Sequence, residues 1–573
     1  MDQRKLVWSV ALASGLGLLS LGGAAASPNP DLIESESLDP TPRLAQADPS
    51  QNRFPSTGAP AEPLPLDPAS PPTSEPTVPP TPTPSPTQTL EVRDIQVVGS
   101  TVFSDADLEQ AVRPFENRTL TLEELQQAAD AVTQIYLNAG YITSRAIVPE
   151  QTAVDGTVQL QVLEGRLAEI QVEGTDRLID YVRSRVALGG TQPVSQARLE
   201  DQLRLLRADP LFDNVEASLR AGTEPGSSIL IVRVAEADPF IGNLTVDTLS
   251  PRSVGEFRTG ITLGYRNLAG LGDTLLGSYY RSTTGGSNIY DFSYQVPLNP
   301  MNGTLLLHVA PNTFRITDPN DPSFRLGVSG SNELYEAVFR QPLVRTPREE
   351  FALSLGFRYR SGSTLQGGFI TPATVTSVVS FGQDYLRRDL TGAWSLRSQF
   401  RLGTGLFNAT SSSSGPDGQF FSWLGQVQRV QVLNPDNLLI VQGDVQLSPD
   451  SLLGSEQFFI GGGQSVRGYY QNARFGDNGL RLSVEDRITL FKDDGDEPIV
   501  QIAPFLDLGY VWFNDASIFR QNFLLGTGAG VILTPIPDLT ARLDFGVPLV
   551  TVNQFASDRP SGLRVYFNVN YQL

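Results

Sequence analysis

Leu563-Arg564-Val565-Tyr566-Phe567-Asn568-Val569-Asn570-Tyr571-Gln572-Leu573 alternates in character with a period of two. Successive side chains of a strand point to opposite faces. Leu563, Val565, Phe567, Val569, Tyr571 and Leu573 therefore share one face, and Arg564, Tyr566, Asn568, Asn570 and Gln572 the other. Phe351, Leu353, Leu355, Phe357 and Tyr359 repeat the pattern against Ala352, Ser354, Gly356, Arg358 and Arg360, as do Val441, Val445 and Leu447 against Gln442, Asp444 and Gln446. From Asp238 onward such runs are separated by Gly, Asn, Asp, Ser and Pro clusters, with no helical period. Apolar-out, polar-in segments of about ten residues predict a transmembrane β-barrel over 238–573. At about 21 residues per strand and connection, this stretch predicts about 16 antiparallel strands, an even number as bacterial barrels have. Alternation alone suits a soluble β-sandwich equally well. The leader described below and the absence of Cys turn the balance to the membrane.

Composition removes most chemistry. The 573 residues hold 42 Lys+Arg against 62 Asp+Glu, a net charge of −20, which repels phosphate backbones and argues against nucleic acid. Cys is absent and His occurs once, as His308 in the apolar run Leu305-Leu306-Leu307-His308-Val309, where a structural or solvent-facing imidazole is the expectation. Disulfides, thiolate nucleophiles, Cys/His metal sites and a Ser-His-Asp constellation are excluded on that basis, unless His308 serves alone. Lys is confined to Lys5 and Lys492, and no G-x-x-x-x-G-K-[ST] stretch offers a nucleotide site. No catalytic residue, metal or cofactor is expected, and the chain does not read as an enzyme.

Arg4 and Lys5 precede an apolar, small-residue run that ends Ala24-Ala25-Ala26, the pattern of a cleaved signal peptide over 1–26. A proline-rich linker follows over 27–89; residues 28–88 hold 18 of the 42 prolines, too many for a packed core. Then Ile95-Gln96-Val97-Val98-Gly99 returns as Ile170-Gln171-Val172-Glu173-Gly174, which suggests two copies of a small domain, 90–166 and 167–237. The first copy predicts a strand over 90–98, helices near 104–113 and 121–139, and strands near 142–149 and 157–163. Thr121-Leu122-Glu123-Glu124 has the form of a capping box, and Gly140 suits a helix C-terminus. The second copy predicts a strand over 168–173, helices over 176–187 and 195–208, and strands over 214–220 and 228–235. The order β-α-α-β-β, with a glycine closing the first strand, resembles the polypeptide-transport-associated (POTRA) domain. Residues 90–237 carry net charge −10, against an acidic partner. The edge strands of such sheets can take up an extended chain by strand addition. Arg145, Ile147, Val215 and Ala217 mark the expected partner-binding edges.

A connection of about thirty residues between strands near 439–447 and 480–488 is long enough to suggest function. It contains Gly461-Gly462-Gly463-Gln464-Ser465-Val466-Arg467-Gly468-Tyr469. Downstream, Phe505, Asp507 and Gly509 face opposite to Leu506, Leu508 and Tyr510, hence toward the lumen. An acid there needs a cation, and Arg467, on a glycine-flanked loop, is the candidate through a bidentate pair. Pro504, which lacks a ladder donor, is expected near the membrane boundary.

Val466-Arg467-Gly468-Tyr469 resembles the V-R-G-[YF] lumen-loop motif of two-partner secretion (type V) transporters and related barrel-assembly factors, and Phe505-Leu506-Asp507-Leu508-Gly509 their F-x-D-x-G strand motif. Leu453-Gly454-Ser455-Glu456-Gln457-Phe458-Phe459 and Leu268-Ala269-Gly270-Leu271-Gly272-Asp273 resemble stretches of the hemolysin secretion/activation branch, the TpsB family. The resemblance spans about Leu90 to Leu573. It implies a mainly β outer-membrane protein with two periplasmic POTRA domains ahead of a 16-stranded barrel. Such a protein captures a β-helical exoprotein in extended form, passes it through the barrel, and meets lipid on its outside. A monomer without nucleotide is the expected state. The alternative is an insertase for outer-membrane barrels, which shares both motifs. Two departures stand out: residues 27–89 show no long helical period for a pore plug, and the chain ends Tyr571-Gln572-Leu573 where many such barrels end in Phe.

Overall fold

The computed structural model describes residues 89–413, 415–515, 519, 521–552 and 562–573; the signal peptide and nearly all of the linker read from the sequence lie outside them. The chain parts into two compact units between Ala237 and Asp238.

The first unit contains two sheets of one design. In the first, Asp94–Val98 lies parallel to Thr157–Leu163, which pairs antiparallel with Arg145–Ile147. In the second, Arg166–Glu173 lies parallel to Ser227–Glu236, which pairs antiparallel with Phe212–Ala221. A parallel pair needs a crossover, supplied by helices Asp105–Val112 and Leu122–Asn138 in one module and Ile179–Ala187 and Gln196–Arg207 in the other. Gly99 and Gly174, the repeated glycines, both have φ near +90°. A Cβ there would lie 2.8 Å from the Val162 carbonyl oxygen and 2.0 Å from that of Val234, so the repeat requires glycine twice. The Thr121–Glu124 capping box forms in both directions and starts the longest helix of the described residues. That helix buries Leu125, Ala129, Val132 and Tyr136 against Ile95, Val158 and Leu160.

The expected strand over 90–98 is two strands. Thr89–Val92 pairs with Arg118–Thr121, an element the sequence left as a connection, and the chain turns at Arg93 into the main sheet. Val92 and Leu120 drive this by sinking fully into the core. The strand expected near 142–149 is ordered only as Arg145–Ile147.

The second unit is a closed barrel of sixteen antiparallel strands, counting Thr304–Val309 and Asn312–Arg315 as one interrupted strand and Phe369–Ile370 as a hairpin tip. Closure is made by the first strand, Phe240–Asp247, on the last, Arg564–Gln572. Connections at the rim carrying Phe240 are short, such as Pro435-Asp436 and Pro537-Asp538, and the longest described one, 448–477, leaves from the opposite rim.

Burial distinguishes this barrel from a soluble sandwich. Leu355, Leu402, Leu506 and Phe292 stand exposed on the outside, at 45% or more. Arg258, Asp291, Arg401, Asp444 and Asp507 point inward and are at most 4% exposed. An oily exterior around a charged interior is stable only when the exterior meets lipid. His308 is lumen-facing and buried: its Nε2 lies 2.8 Å from Asp291 Oδ2, and its Nδ1 3.6 Å from Glu336 Oε2. Pro504 is not near the end of its strand. It sits mid-way along Pro498–Trp512, opposite Ala529. Its missing donor falls where the ladder to Asn478–Lys492 skips from Glu485↔Phe505 to Ile488↔Ile502.

Candidate functional site

The connection from 448 to 477 joins strands Asn437–Leu447 and Asn478–Lys492 and folds against the inner wall, carrying its own short hairpin, Phe458–Ile460 with Arg474–Gly476. Gly461 and Gly462, both with φ above +100°, let the chain reverse at the hairpin tip. The tip presents Val466, Arg467, Gly468 and Tyr469, all buried.

Arg467 meets Asp507 as the sequence suggested. Nε donates to Asp507 Oδ2 at 2.7 Å and Nη2 to Oδ1 at 2.8 Å, a two-point contact. The Arg467 backbone N–H adds a third bond to Oδ2 at 3.1 Å. The guanidinium carbon lies 3.4 Å from the Phe505 ring centroid, so Phe505 is the platform on which the cation rests. Gly509 clears the way: a Cβ there would come within 3.0 Å of Ile460 and Val466. Gly468 has φ +100°, and its Cβ would lie 2.8 Å from the Pro548 nitrogen. The Tyr469 hydroxyl lies 2.9 Å from the Leu525 carbonyl oxygen and 2.8 Å from that of Val550.

Several partners escaped the sequence reading. Nη1 of Arg467 donates to Glu485 Oε2 at 2.7 Å, and Asp544 stands 3.6 Å away. Arg542 bridges Glu485 and Asp544 at 2.7 Å each, so the latch is a network of alternating charges. Ser483 Oγ donates to Asp507 Oδ1 at 2.6 Å. Tyr566 receives the Gly468 N–H at 3.0 Å and donates to the Tyr469 carbonyl at 2.5 Å. A Cβ on Gly526 would lie 1.8 Å from the Arg467 carbonyl oxygen, which makes that glycine part of the seat. The alternation of Arg481, Ser483 and Glu485 with Leu480, Leu482 and Val484 was a usable signal for two of these wall residues.

Each of the two repeated modules has an edge strand. Arg145–Ile147 is an edge strand, but its central N–H, that of Ala146, already donates to Thr133 Oγ1 on the neighbouring helix at 2.9 Å. Phe212–Ala221 is likewise an edge. Val215 is buried in the core rather than presented, and its carbonyl accepts from Arg207 Nε at 2.9 Å. Ala217 is exposed. Among the described residues no group of three or more His, Asp or Glu is arranged to hold a metal ion.

The family model of the haemolysin secretion/activation protein ShlB/FhaC/HecB matches residues 226–533, more than half of the chain. The chain belongs to this family. The ShlB-type POTRA domain model matches residues 90–165. The outer membrane transporter CdiB of Escherichia coli is 27% identical over 490 residues, covering 83% of this chain and 82% of that one. The heme/hemopexin transporter protein HuxB of Haemophilus influenzae is 22% identical over 77% of this chain and 80% of its own length. The solved structure of CdiB from Escherichia coli superimposes with a TM-score of 0.68 at 24% identity, over 89% of this chain and 94% of that one. BamA from Haemophilus ducreyi shares the fold at TM-score 0.51 and 16% identity, over 84% of this chain. Membership makes the chain an outer-membrane transporter of two-partner secretion, with its POTRA domains in the periplasm, and sets the insertase alternative aside.

Proposed function

We propose that this transporter exports a single β-helical exoprotein, taken up in extended form at a POTRA edge and passed through the lumen after the loop has left it. Neither a cofactor nor an enzymatic step is part of this reading, and one copy of the chain suffices. The observation that carries it is the two-point Arg467–Asp507 contact inside the barrel. A buried guanidinium matched to carboxylates holds a loop in one geometry, and water or a passing chain can exchange for those contacts in a polar lumen. With no nucleotide motif in the sequence, folding of the exported chain outside the membrane gives the direction.

Arg467→Ala tests this. Removing one partner of a buried ion pair costs about 3–5 kcal/mol, enough to abolish the latched state. A loop that has lost its seat no longer leaves the lumen in step with the bound exoprotein, so export is expected to fall below detection in cells whose outer membrane still contains the folded barrel. Wild-type export by that variant would remove the latch from the mechanism.

The capture step narrows to one edge. Because the Val215 carbonyl points away from the neighbouring strand, the two-residue alternation of the ladder turns the backbone groups of Ala217 and Leu219 the same way. Strand addition is therefore proposed along Ala217–Ala221, with Val215 supporting from the core and Arg145–Ile147 obstructed by its helix. Ala217→Pro, which deletes an outward donor, is expected to weaken exoprotein binding about tenfold, and Ile147→Pro less. Titration of the full-length transporter in detergent with the exoprotein's N-terminal domain measures both, and equal affinities for wild type and Ala217→Pro would rule this edge out.

A further inference from the structure

The lumen loop is attached to the wall at a second place. Glu456 precedes the hairpin and is fully buried. Its carboxylate accepts from Arg358 Nη2 at 2.6 Å and from Thr376 Oγ1 at 3.1 Å, and Arg401 Nη1 lies 3.6 Å away. The backbone joins in: Arg360 Nη1 donates to the Ser455 carbonyl at 2.6 Å, and Gln446 Nε2 to the Glu456 carbonyl at 3.0 Å. Arg401 is itself held in place, donating to Gln446 Oε1 at 2.7 Å and Ser422 Oγ at 3.0 Å.

The groups that hold Glu456 and Ser455 come from strands Glu349–Gln366, Thr374–Asp389, Gly392–Thr404 and Asn437–Leu447. The carboxylates facing Arg467 come from the other side of the loop, on Asn478–Lys492, Pro498–Trp512 and Leu539–Pro548. The polarity is reversed between the two places. At Arg467 the loop supplies the guanidinium and the wall the acids; at Glu456 the loop supplies the acid and the wall the guanidinium groups.

We propose that Glu456 is a second latch of the lumen loop, a positioning residue that must let go together with Arg467 before a chain can pass. This rests on the reading that the loop leaves the lumen. Opening one latch alone leaves the other intact, and a buried charge stripped of its partner is strongly disfavoured. Opposite polarities also deny a passing segment of one charge sign the means to displace both contacts. Release is therefore all-or-none, and the loop stays seated until a bound exoprotein disturbs both ends.

The chain has no cysteine, so Gln464→Cys places a single thiol on the loop tip. Its labelling by a membrane-impermeant maleimide is followed in the full-length transporter in outer membranes. Glu456→Gln is expected to speed labelling about tenfold, as loss of a buried charge partner requires, and Glu456→Asp to keep the rate within about threefold of the parent. Asp507→Asn, which opens the first latch, speeds it as well. A parental rate in Glu456→Gln beside a faster one in Asp507→Asn overturns the second latch and leaves the first. Parental rates in both overturn loop release itself. If Glu456→Gln does not insert, Thr376→Val removes one hydrogen bond from the same carboxylate and is expected to speed labelling about threefold; an unchanged rate in that inserted variant overturns the proposal equally.

Discussion

In the POTRA modules the fully buried side chains include Leu120, Val132, Leu160 and Val232; in the barrel they include Arg401, Glu456, Arg474 and Asp507. Both regions are built from strands that sort their side chains onto two faces with the same period. The faces are given opposite uses. Where a sheet is covered by helices and bathed in water, the apolar face turns inward, as Val158, Leu160 and Val162 do. Where sixteen strands close on themselves in lipid, the apolar face turns out, as Leu506 and Tyr510 do, and the polar face lines the lumen. The pattern thus separates faces, and the surrounding medium assigns them.

The contrast is tested hardest in the POTRA core. Leu160→Ala removes a side chain with no exposure and is expected to destabilise its module by about 2–5 kcal/mol. Hydrogen exchange over residues 94–163 of the full-length protein reads this, and a cost under about 1 kcal/mol would show a core looser than described. On the barrel, Leu506→Arg puts a charge on the lipid face at the middle of its strand, at an expected cost of about 2–4 kcal/mol in urea unfolding from lipid vesicles. A neutral effect would mean that this face meets water. The smallest effect is confined to alkaline pH. The Tyr136 hydroxyl lies 2.7 Å from Ser100 Oγ and 3.1 Å from Glu164 Oε1, and burial of the ring pushes the phenol up to about 12 from its usual 10.0. A raised folded value stabilises below the unfolded one, so this contribution is complete below pH 10.0 and is lost as pH rises to about 12. Exchange protection of the first module is expected to fall across that window, and Tyr136→Phe to flatten the fall.

Much of the architecture was legible because its causes are local. Alternation from Asp238 to Leu573, the repeated glycine at Gly99 and Gly174, and the Thr121–Glu124 cap each follow from neighbouring residues. The Arg467–Asp507 pair was legible through two short motifs, although 40 residues separate them. The strand Arg118–Thr121 was missed because four residues between helices carry no periodicity of their own. Val215 was placed on an edge correctly but assigned to a partner, since a strand can be at the edge of its sheet and still turn a side chain into the core.

The sequence by itself determined that two faces alternate along these strands, that a module is repeated, and that an arginine loop and an acid strand belong together. Strand alternation and left-handed glycines are properties of one stretch of backbone. The tertiary structure alone decided that Glu485, Asp544 and Arg542 join Arg467, and that Glu456 finds Arg358, 98 residues away. Those contacts depend on how strands stagger as the barrel closes, because the stagger sets which inward side chains share a height in the lumen.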